Sequence, residues 1–227
     1  MKKWIVFALL ICTPALIFAG GGRDDQSQRD GHAKRGGWSF GIPIRGNGNM
    51  LSSERPVSAF DSIRISRNAA VYFHVSPEYR ALVTVDSNLD EYVRVYVENG
   101  VLRIGAQRGR SYLFTQYIVD VYAPSISGVS ISGSGSFEGR DRIITSSFKS
   151  NVSGSGNIEG EFASDFFSAE ISGSGDIIAH VISKNANARI SGAGSVRFTG
   201  NSDEVNVTIS GSGDLLGREF LVNNADL

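Results

Sequence analysis

The sequence predicts an all-β protein, a single-stranded parallel β-helix with an N-terminal β-rich cap, and three observations support this fold class. A motif of the form Ile/Val-Ser-Gly-Ser/Ala-Gly occurs five times. Apolar and polar residues alternate before each copy, as they do in a strand with one buried face. A further apolar position follows each copy. The copies begin at Ile131, Val152, Ile171, Ile190 and Ile209.

The spacing of the motif indicates stacked repeats. Successive copies are 21, 19, 19 and 19 residues apart, and a fixed period near 20 is typical of solenoids. Calcium-binding nonapeptide repeats also contain Gly-x-Gly-x-Asp, but their period is different, and an aspartate follows only two copies, as Asp176 and Asp214. We therefore expect each repeat to form one turn, with every strand paired in parallel to its copy about 4.8 Å away.

Alternation within each repeat separates the predicted core from the surface. In the last copy, Val205 and Val207 alternate with Asn206 and Thr208. One repeat cannot bury its own apolar face, but stacked repeats can. We expect the position after each motif to form a second buried column, made of Phe137, Ile158, Ile177, Val196 and Leu215.

Two glycines in each motif are predicted to form the corner between the two strands of one turn. Glycine adopts positive φ at little steric cost, and it leaves room for the identical corner in the next turn. A phosphate-binding loop is the alternative, but no helix follows the motif and no lysine accompanies it. The corner glycines are Gly133, Gly135, Gly154, Gly156, Gly173, Gly175, Gly192, Gly194, Gly211 and Gly213.

The first 55 residues are predicted to lie outside the β-helix. Residues 1–19 have the pattern of a signal peptide, because Lys2 and Lys3 precede an uncharged run that is too short to span a bilayer. A lipoprotein signal at Cys12 and an uncleaved anchor are the alternatives. Residues 20–55 are predicted to be a flexible linker, since "GGGRDDQSQRDGHAKRGG" contains almost no large apolar residue. The alternative for the end of this segment is one strand laid on the domain, because Trp38, Phe40, Ile42 and Ile44 alternate with other residues. Once the signal is removed, we expect no transmembrane segment.

Residues 56–125 are predicted to form the cap and the first turn, and residues 126–227 the repeated turns. The segment "ISRNAAVYF" at 65–73 matches "ISGAGSVRF" at 190–198 in its apolar positions, so it is interpreted as a diverged first turn. Asn99-Gly100 predicts a hairpin that covers the N-terminal end, and 87–91 predicts a helical turn. At the other end Leu227 lies 18 residues after Ile209. The last strand is predicted to keep an open edge, available for self-association or a partner strand.

The repeated motif behind a signal peptide, with a β-rich lead-in, resembles the DUF2807 family of auto-transporter adhesin, or head GIN, domains. The resemblance covers about residues 57–227. It implies a right-handed parallel β-helix in a secreted or envelope-associated bacterial protein, in the periplasm, at the outer membrane or at the cell surface. The family offers no catalytic residues to transfer to this chain.

The residues themselves indicate no cofactor, metal or catalytic group. The net charge is −1 and no basic stripe is visible in the sequence, so nucleic acid is not expected as a partner. His32, His74 and His180 share no metal-ligand spacing. A carbohydrate-active enzyme is the alternative, because Glu138 and Glu159 fall in one column on successive turns. The polar column Ser136, Asn157, Asp176, Ser195 and Asp214 is interpreted as structural, with a ligand site as its alternative.

One segment is predicted to be a binding surface. The stretch "RGRSYLFTQY" at 108–117 combines arginines with aromatic rings, a composition that protein and sugar interfaces favour. The alternative is that these rings cover the end of the solenoid. The candidate ligand-binding residues are Arg108, Arg110, Tyr112, Phe114 and Tyr117. We therefore expect an exported, non-enzymatic, adhesin-like module that binds a glycan or an envelope protein; a structural spacer is the third hypothesis.

Overall fold

The structure, a computed structural model, describes residues 42–226. The predicted signal peptide, Cys12, His32 and the predicted linker up to residue 41 lie outside the described residues. No helix within 42–226 combines the length and the apolar character that crossing a membrane requires. The elements, in chain order, are β1 Ile44–Arg45, β2 Met50–Arg55, β3 Ser62–Ile65, β4 Ala70–Val75, β5 Arg80–Asp86, the 3-10 helix Asp90–Tyr92, β6 Val93–Glu98, β7 Val101–Ala106, β8 Tyr112–Leu113, β9 Tyr117–Ala123, β10 Gly128–Ile131, β11 Ser136–Gly139, β12 Ile143–Ile144, β13 Ser147–Val152, β14 Asn157–Ile171, β15 Asp176–Ile190, β16 Ser195–Ile209 and β17 Asp214–Asp226.

The repeats form a parallel β-solenoid, as predicted. Strands β14, β15 and β16 pair in parallel and in register, so that Ile171 lies beside Ile190 and Ile190 beside Ile209. The residues that link one motif to the next were expected to be a connection between strands. They are instead part of strands of 15 residues, because all of them except Asp165, Lys184 and Asp203 pair with their copies in the next turn. The predicted second column is also confirmed, from Phe137 beside Ile158 to Val196 beside Leu215.

The corner glycines are required by stacking and not by positive φ. Among the described glycines only Gly48, Gly100, Gly109 and Gly200 have positive φ, and none of these is a corner glycine. The prediction that the corner glycines adopt positive φ is therefore wrong, and the prediction that they leave room for the corner of the next turn is supported. A Cβ on Gly173 would overlap the carbonyl oxygen of Gly154 in the neighbouring turn. The same overlap recurs from turn to turn, because each corner lies directly against the corner before it.

The core is a continuous column of apolar side chains in which large residues lie beside small ones. The rings of Phe148, Phe162 and Phe167 pack against one another, with centroids 4.3 to 6.0 Å apart. A Cβ on Gly160 would lie 3.0 Å from the Phe162 ring, so glycine makes room for it. All three phenylalanines are at most 2% exposed. The inward positions of the repeat thus form one continuous buried cluster, as close-packed protein interiors do.

The diverged first turn is present where the sequence predicts it. Ile65 lies beside Ile131, and Val71 lies beside Phe137, in parallel register. Arg67 occupies the place of a corner glycine with φ of 76°. Beyond this turn the inserted segment supplies another, in which β7 pairs in parallel with β3 and β9 pairs in parallel with β4. The order of turns in space therefore differs from their order along the chain.

The predicted hairpin and helical turn both lie in this insertion. Asn99 and Gly100 have φ of 52° and 75° and connect the antiparallel strands β6 and β7. Residues 87–89 form a turn that leads into the 3-10 helix Asp90–Tyr92. Strand β6 is the outermost strand on one face.

Part of the predicted linker belongs to the folded unit. Strand β2 pairs antiparallel with β5, and β1 pairs in parallel with β8. The carboxylate of Asp86, which is fully buried, accepts hydrogen bonds of 2.8 Å from the backbone N–H groups of Gly48 and Thr115. The linker boundary at residue 55 is therefore too late, because strand pairing and hydrogen bonds hold residues 44–55 in place and Ile44 packs against the core.

The last described strand leaves one edge and part of the core open. Strand β17 pairs with β16 and with no other strand within residues 42–226. Ile209 is 44% exposed and Leu215 is only partly buried, whereas their partners in the preceding turn, Ile190 and Val196, are buried. Phe220 and Val222 are also only partly buried. An unpaired edge with half-covered apolar residues is a site at which another strand can add.

Candidate functional site

The predicted cluster at 108–117 divides into a buried part and an exposed part. Tyr117 is 4% exposed and its hydroxyl donates a 2.7 Å hydrogen bond to the carbonyl of Gly105. Burial raises the pKa of Tyr117, so the phenol stays neutral at physiological pH. Tyr112 is 9% exposed, and its ring is 5.9 Å from that of Phe114. The aromatic residues therefore pack in the cap core.

The two arginines of the cluster lie at the surface and do not stack on these rings. Arg110 is exposed, and its backbone carbonyl accepts a hydrogen bond from the Arg67 side chain. The Arg67 guanidinium, and not that of Arg108 or Arg110, lies 5.7 Å from the Tyr112 ring centroid. Arg108 is exposed and lines a groove whose lining contains none of these three rings. The structure thus separates the arginines from the aromatic rings.

That groove, called here the basic groove, is a concave surface of about 850 Å³ on the outward side of five neighbouring strands. Strands β6, β7, β3, β10 and β13 lie side by side and form it. Its polar floor consists of Ser66, Ser130, Ser132, Asn151 and Ser153. Its cationic side chains are Arg64, Arg94, Arg103, Arg108 and Lys149.

Parallel register brings these residues together. Arg103, Arg64, Ser130 and Asn151 are consecutive partners across four neighbouring strands, all at outward positions. Small residues of the floor lie between the long cationic side chains. Gly105 is one reason for the depth, because a Cβ there would overlap the hydroxyl of Ser66. The groove is therefore a consequence of alternating small and long residues on one sheet face.

The charges of the basic groove are only partly neutralised. Arg103 Nε lies 2.7 Å from a Glu98 carboxylate oxygen, although the geometry makes no hydrogen bond. Lys149 Nζ lies 3.0 Å from Glu170. Arg94 donates to the backbone carbonyls of Glu91 and Val93, which carry no charge. Arg64 and Arg108 have no ion pair among residues 42–226. The groove therefore presents an excess of positive charge.

The sequence alone does not reveal this surface, apart from Arg108. Arg64, Arg94, Arg103 and Lys149 are separated along the chain by up to 85 residues, so no basic stripe is visible in the sequence. The available signal was weak: each residue occupies a polar position of an alternating strand. Only the pairing of β7 beside β3, across the chain order, places Arg103 next to Arg64.

The other candidate residues are accounted for by contacts within the solenoid. Glu138 and Glu159 are register partners, as predicted, and Glu138 lies 2.7 Å from Arg140. In the polar column, Asp176 accepts hydrogen bonds from the N–H and the hydroxyl of Ser195, at 3.0 and 2.6 Å. Residues 42–226 contain no group of three or more His, Cys, Asp or Glu side chains that could hold a metal ion.

Solved structures with the same fold come from species of Parabacteroides and Bacteroides. A protein of Parabacteroides distasonis described as a putative lipid binding protein is 27% identical, with a TM-score of 0.75 over 81% of this chain and 80% of that one. A putative adhesin of Parabacteroides merdae is 20% identical, with a TM-score of 0.53 over 81% of this chain and 99% of the other. A putative adhesin of Bacteroides fragilis is 14% identical, with a TM-score of 0.56 over 81% and 100%.

The comparison with protein families covers the whole repeat region. No curated protein matches the chain. The model of the DUF2807 family, described as "Putative auto-transporter adhesin, head GIN domain", matches residues 59–180 and 157–227. These ranges contain the first turn, the cap insertion and all five motifs, which are the features that define the fold described above. The chain therefore belongs to the DUF2807 family.

Proposed function

We propose that the protein is an exported, adhesin-like module of the cell envelope or surface that binds a glycan or protein partner and catalyses no reaction. The family description and the adhesin neighbours support a surface module. The observation that carries the proposal is the basic groove. It is a broad concave surface of about 850 Å³ on a rigid sheet, within the size range of ligand sites.

The groove has the chemistry of a binding surface and lacks the pair of converging acids that a glycoside hydrolase uses. No aspartate, glutamate or histidine is among its lining residues, and the carboxylates of Glu98 and Glu170 lie beside two of its cations, Arg103 and Lys149. Its hydroxyls, amide and guanidinium groups can orient a ligand through hydrogen bonds and charge. Four of the five cations, and Asn151, lie on strands, which favours recognition without rearrangement; Arg108 lies in the turn after β7.

A lipid is the ligand class that the name of one relative suggests. The lining of the basic groove argues against an acyl chain in this protein. Its side chains are cationic or polar, apart from Tyr96, Ile104, Ala106 and Ile131, and Ile104 and Ile131 are 1% exposed because they face the core. A glycan or a polar protein surface fits this lining better, since neither requires an apolar tunnel.

The test is binding of the purified protein to a glycan array and to intact bacterial envelopes. We expect saturable binding to at least one glycan or envelope protein, without any change in the size of the glycan. The absence of saturable binding to every glycan and envelope preparation would overturn the proposal, and so would turnover of the bound glycan.

A carbohydrate-active enzyme is the second candidate, favoured by the adjacent carboxylates of Glu138 and Glu159. Both are at the surface, and their column continues with Ile178 and Arg197, which build no cleft around them. The double variant Glu138→Gln with Glu159→Gln distinguishes the enzyme hypothesis from the adhesin hypothesis. If the wild-type protein degrades a polysaccharide and this variant does not, the enzyme hypothesis is correct and the adhesin hypothesis is wrong.

A further inference from the structure

We propose that the basic groove binds the acidic groups of a polysaccharide, that is, carboxylates or sulfates carried on a sugar chain. This inference rests on the proposed binding function and adds the chemical class of the ligand. Arg64 and Arg103 are the central residues, with Arg94, Arg108 and Lys149 around them. The groove is long enough to cross several strands, so it can contact more than one sugar of a chain.

The charge arrangement is unfavourable for the fold and favourable for an anion. Arg64 and Arg103 are direct register partners on adjacent strands, and like charges in that position destabilise a sheet. Arg103 has Glu98 nearby, but Arg64 is exposed and has no carboxylate partner among the described residues. The protein as a whole has a net charge of −1. The positive surface is therefore local, and an anion bound between the arginines would relieve their repulsion.

The floor of the groove complements sugar hydroxyls. The side-chain hydroxyls of Ser130 and Ser132 make no hydrogen bond to other residues within 42–226, so both can donate to a ligand. Asn151 donates to Glu170 at 3.2 Å, which leaves its carbonyl oxygen to accept. Guanidinium groups bind carboxylates and sulfates through paired hydrogen bonds. A polyhydroxylated chain with acidic groups can satisfy the floor and the rim together.

Other anionic ligands match the groove less well. Single-stranded nucleic acid requires aromatic platforms on which successive bases stack, and Tyr96 is the one aromatic residue that lines the groove. An anionic membrane requires apolar residues beside the cations. The exposed leucines and isoleucines of the last turn, such as Leu221, lie at the opposite end of the strand order. An acidic sugar chain can contact both the cations and the polar floor of the groove, whereas nucleic acid or a membrane would contact only part of this lining.

The test compares defined polymers at two salt concentrations. Titration calorimetry of the full-length protein measures binding of polygalacturonate and dextran sulfate, with neutral dextran and phosphatidylglycerol vesicles as comparisons. The variant is Arg64→Gln with Arg108→Gln. The matched control is Arg189→Gln with Arg218→Gln, which removes the same charge from exposed positions outside the groove. Circular dichroism and thermal unfolding show that both variants are folded.

We expect the wild type to bind at least one acidic polymer, more tightly at low salt, and not to bind dextran. The groove variant should bind about tenfold more weakly or worse, because it loses charge-assisted hydrogen bonds, while the control stays within about twofold of the wild type. Equal losses in both variants, equal binding of neutral dextran, or binding of vesicles alone would overturn the inference. If the groove variant keeps full affinity for a glycan or protein found on the array, the adhesin function stands and this inference fails.

Discussion

Replacement of Gly173 by alanine tests why the corner motif contains glycine. A Cβ at this position would overlap the carbonyl oxygen of Gly154 and lie 2.8 Å from its carbonyl carbon. The obstacle is backbone, so no side chain can rotate away. The two turns could separate only by stretching the hydrogen bonds from Ser172 to Val152 and from Ser174 to Gly154, both 2.9 Å long.

The expected loss follows from these contacts. Overpacking of a close-packed site costs about 1–3 kcal/mol, and weakening backbone hydrogen bonds adds about 1 kcal/mol for each. We therefore expect Gly173→Ala to lower the free energy of unfolding by about 3 kcal/mol. For a domain of this size that corresponds to a decrease in Tm of about 6–12 °C.

The assay is urea denaturation followed by circular dichroism, with hydrogen exchange to locate the opened turns. The matched control is Ser174→Ala, because Ala193 occupies the equivalent position in the next turn and Ser174 is exposed. We expect the control to stay within about 0.5 kcal/mol of the wild type. If Gly173→Ala were as stable as Ser174→Ala, close stacking of the corners could not be the reason for the glycines.

Three further predictions concern the core, the cap and the open edge. Phe162→Ala should lower the free energy of unfolding by about 3–5 kcal/mol, measured by urea denaturation, because the ring is 1% exposed; a loss below about 1 kcal/mol would contradict the packing. Burial by itself would raise the pKa of Asp86, but the N–H groups of Thr115 and Gly48 and the Thr115 hydroxyl stabilise the carboxylate, and the pKa lies below its ordinary value of 3.8. The stabilising effect of the Asp86 carboxylate is therefore complete above pH 3.8 and is lost as the pH falls through the folded-state pKa. Asp86→Asn should reduce Tm at pH 7, and the Tm of this variant should decrease less steeply in acid than that of the wild type. Parallel Tm–pH curves for the two proteins would count against this role of Asp86. The unpaired edge of β17 should make the protein self-associate, so a single monomeric species in sedimentation velocity at high concentration would refute it.

The repeat itself was readable from the sequence because it combines local and periodic signals. The five motifs, the alternation before them and the column from Phe137 to Leu215 each predicted a stacked parallel sheet, and the register confirms it. Even the diverged first turn at 65–73 was recognisable, since its inward positions kept their apolar residues. Periodicity reports burial directly, because only inward side chains must be apolar in every turn.

The role of the glycines could not be derived from the sequence alone. Glycine is used both for positive φ and for close approach of backbones, and the motif is compatible with both. The structure distinguishes them, since Gly173 lacks positive φ and lies against Gly154. The folded state of residues 46–55 was also hidden, because the hydrogen bonds that Gly48 and Thr115 donate to Asp86 leave no pattern in composition.

The sequence by itself determined the architecture of this protein, and the tertiary structure decided where its binding chemistry lies. Stacking follows from the period of about 20 residues at which the five motifs recur along the chain. The basic groove depends instead on β7 pairing beside β3, and β3 beside β10, in an order different from that of the chain. Five cations that are far apart in sequence thereby share one surface, and the rings of Tyr112 and Tyr117, which looked like a binding site, are buried in the cap. Charge at a site is set by neighbours in space, and those neighbours exist only once the strands have paired.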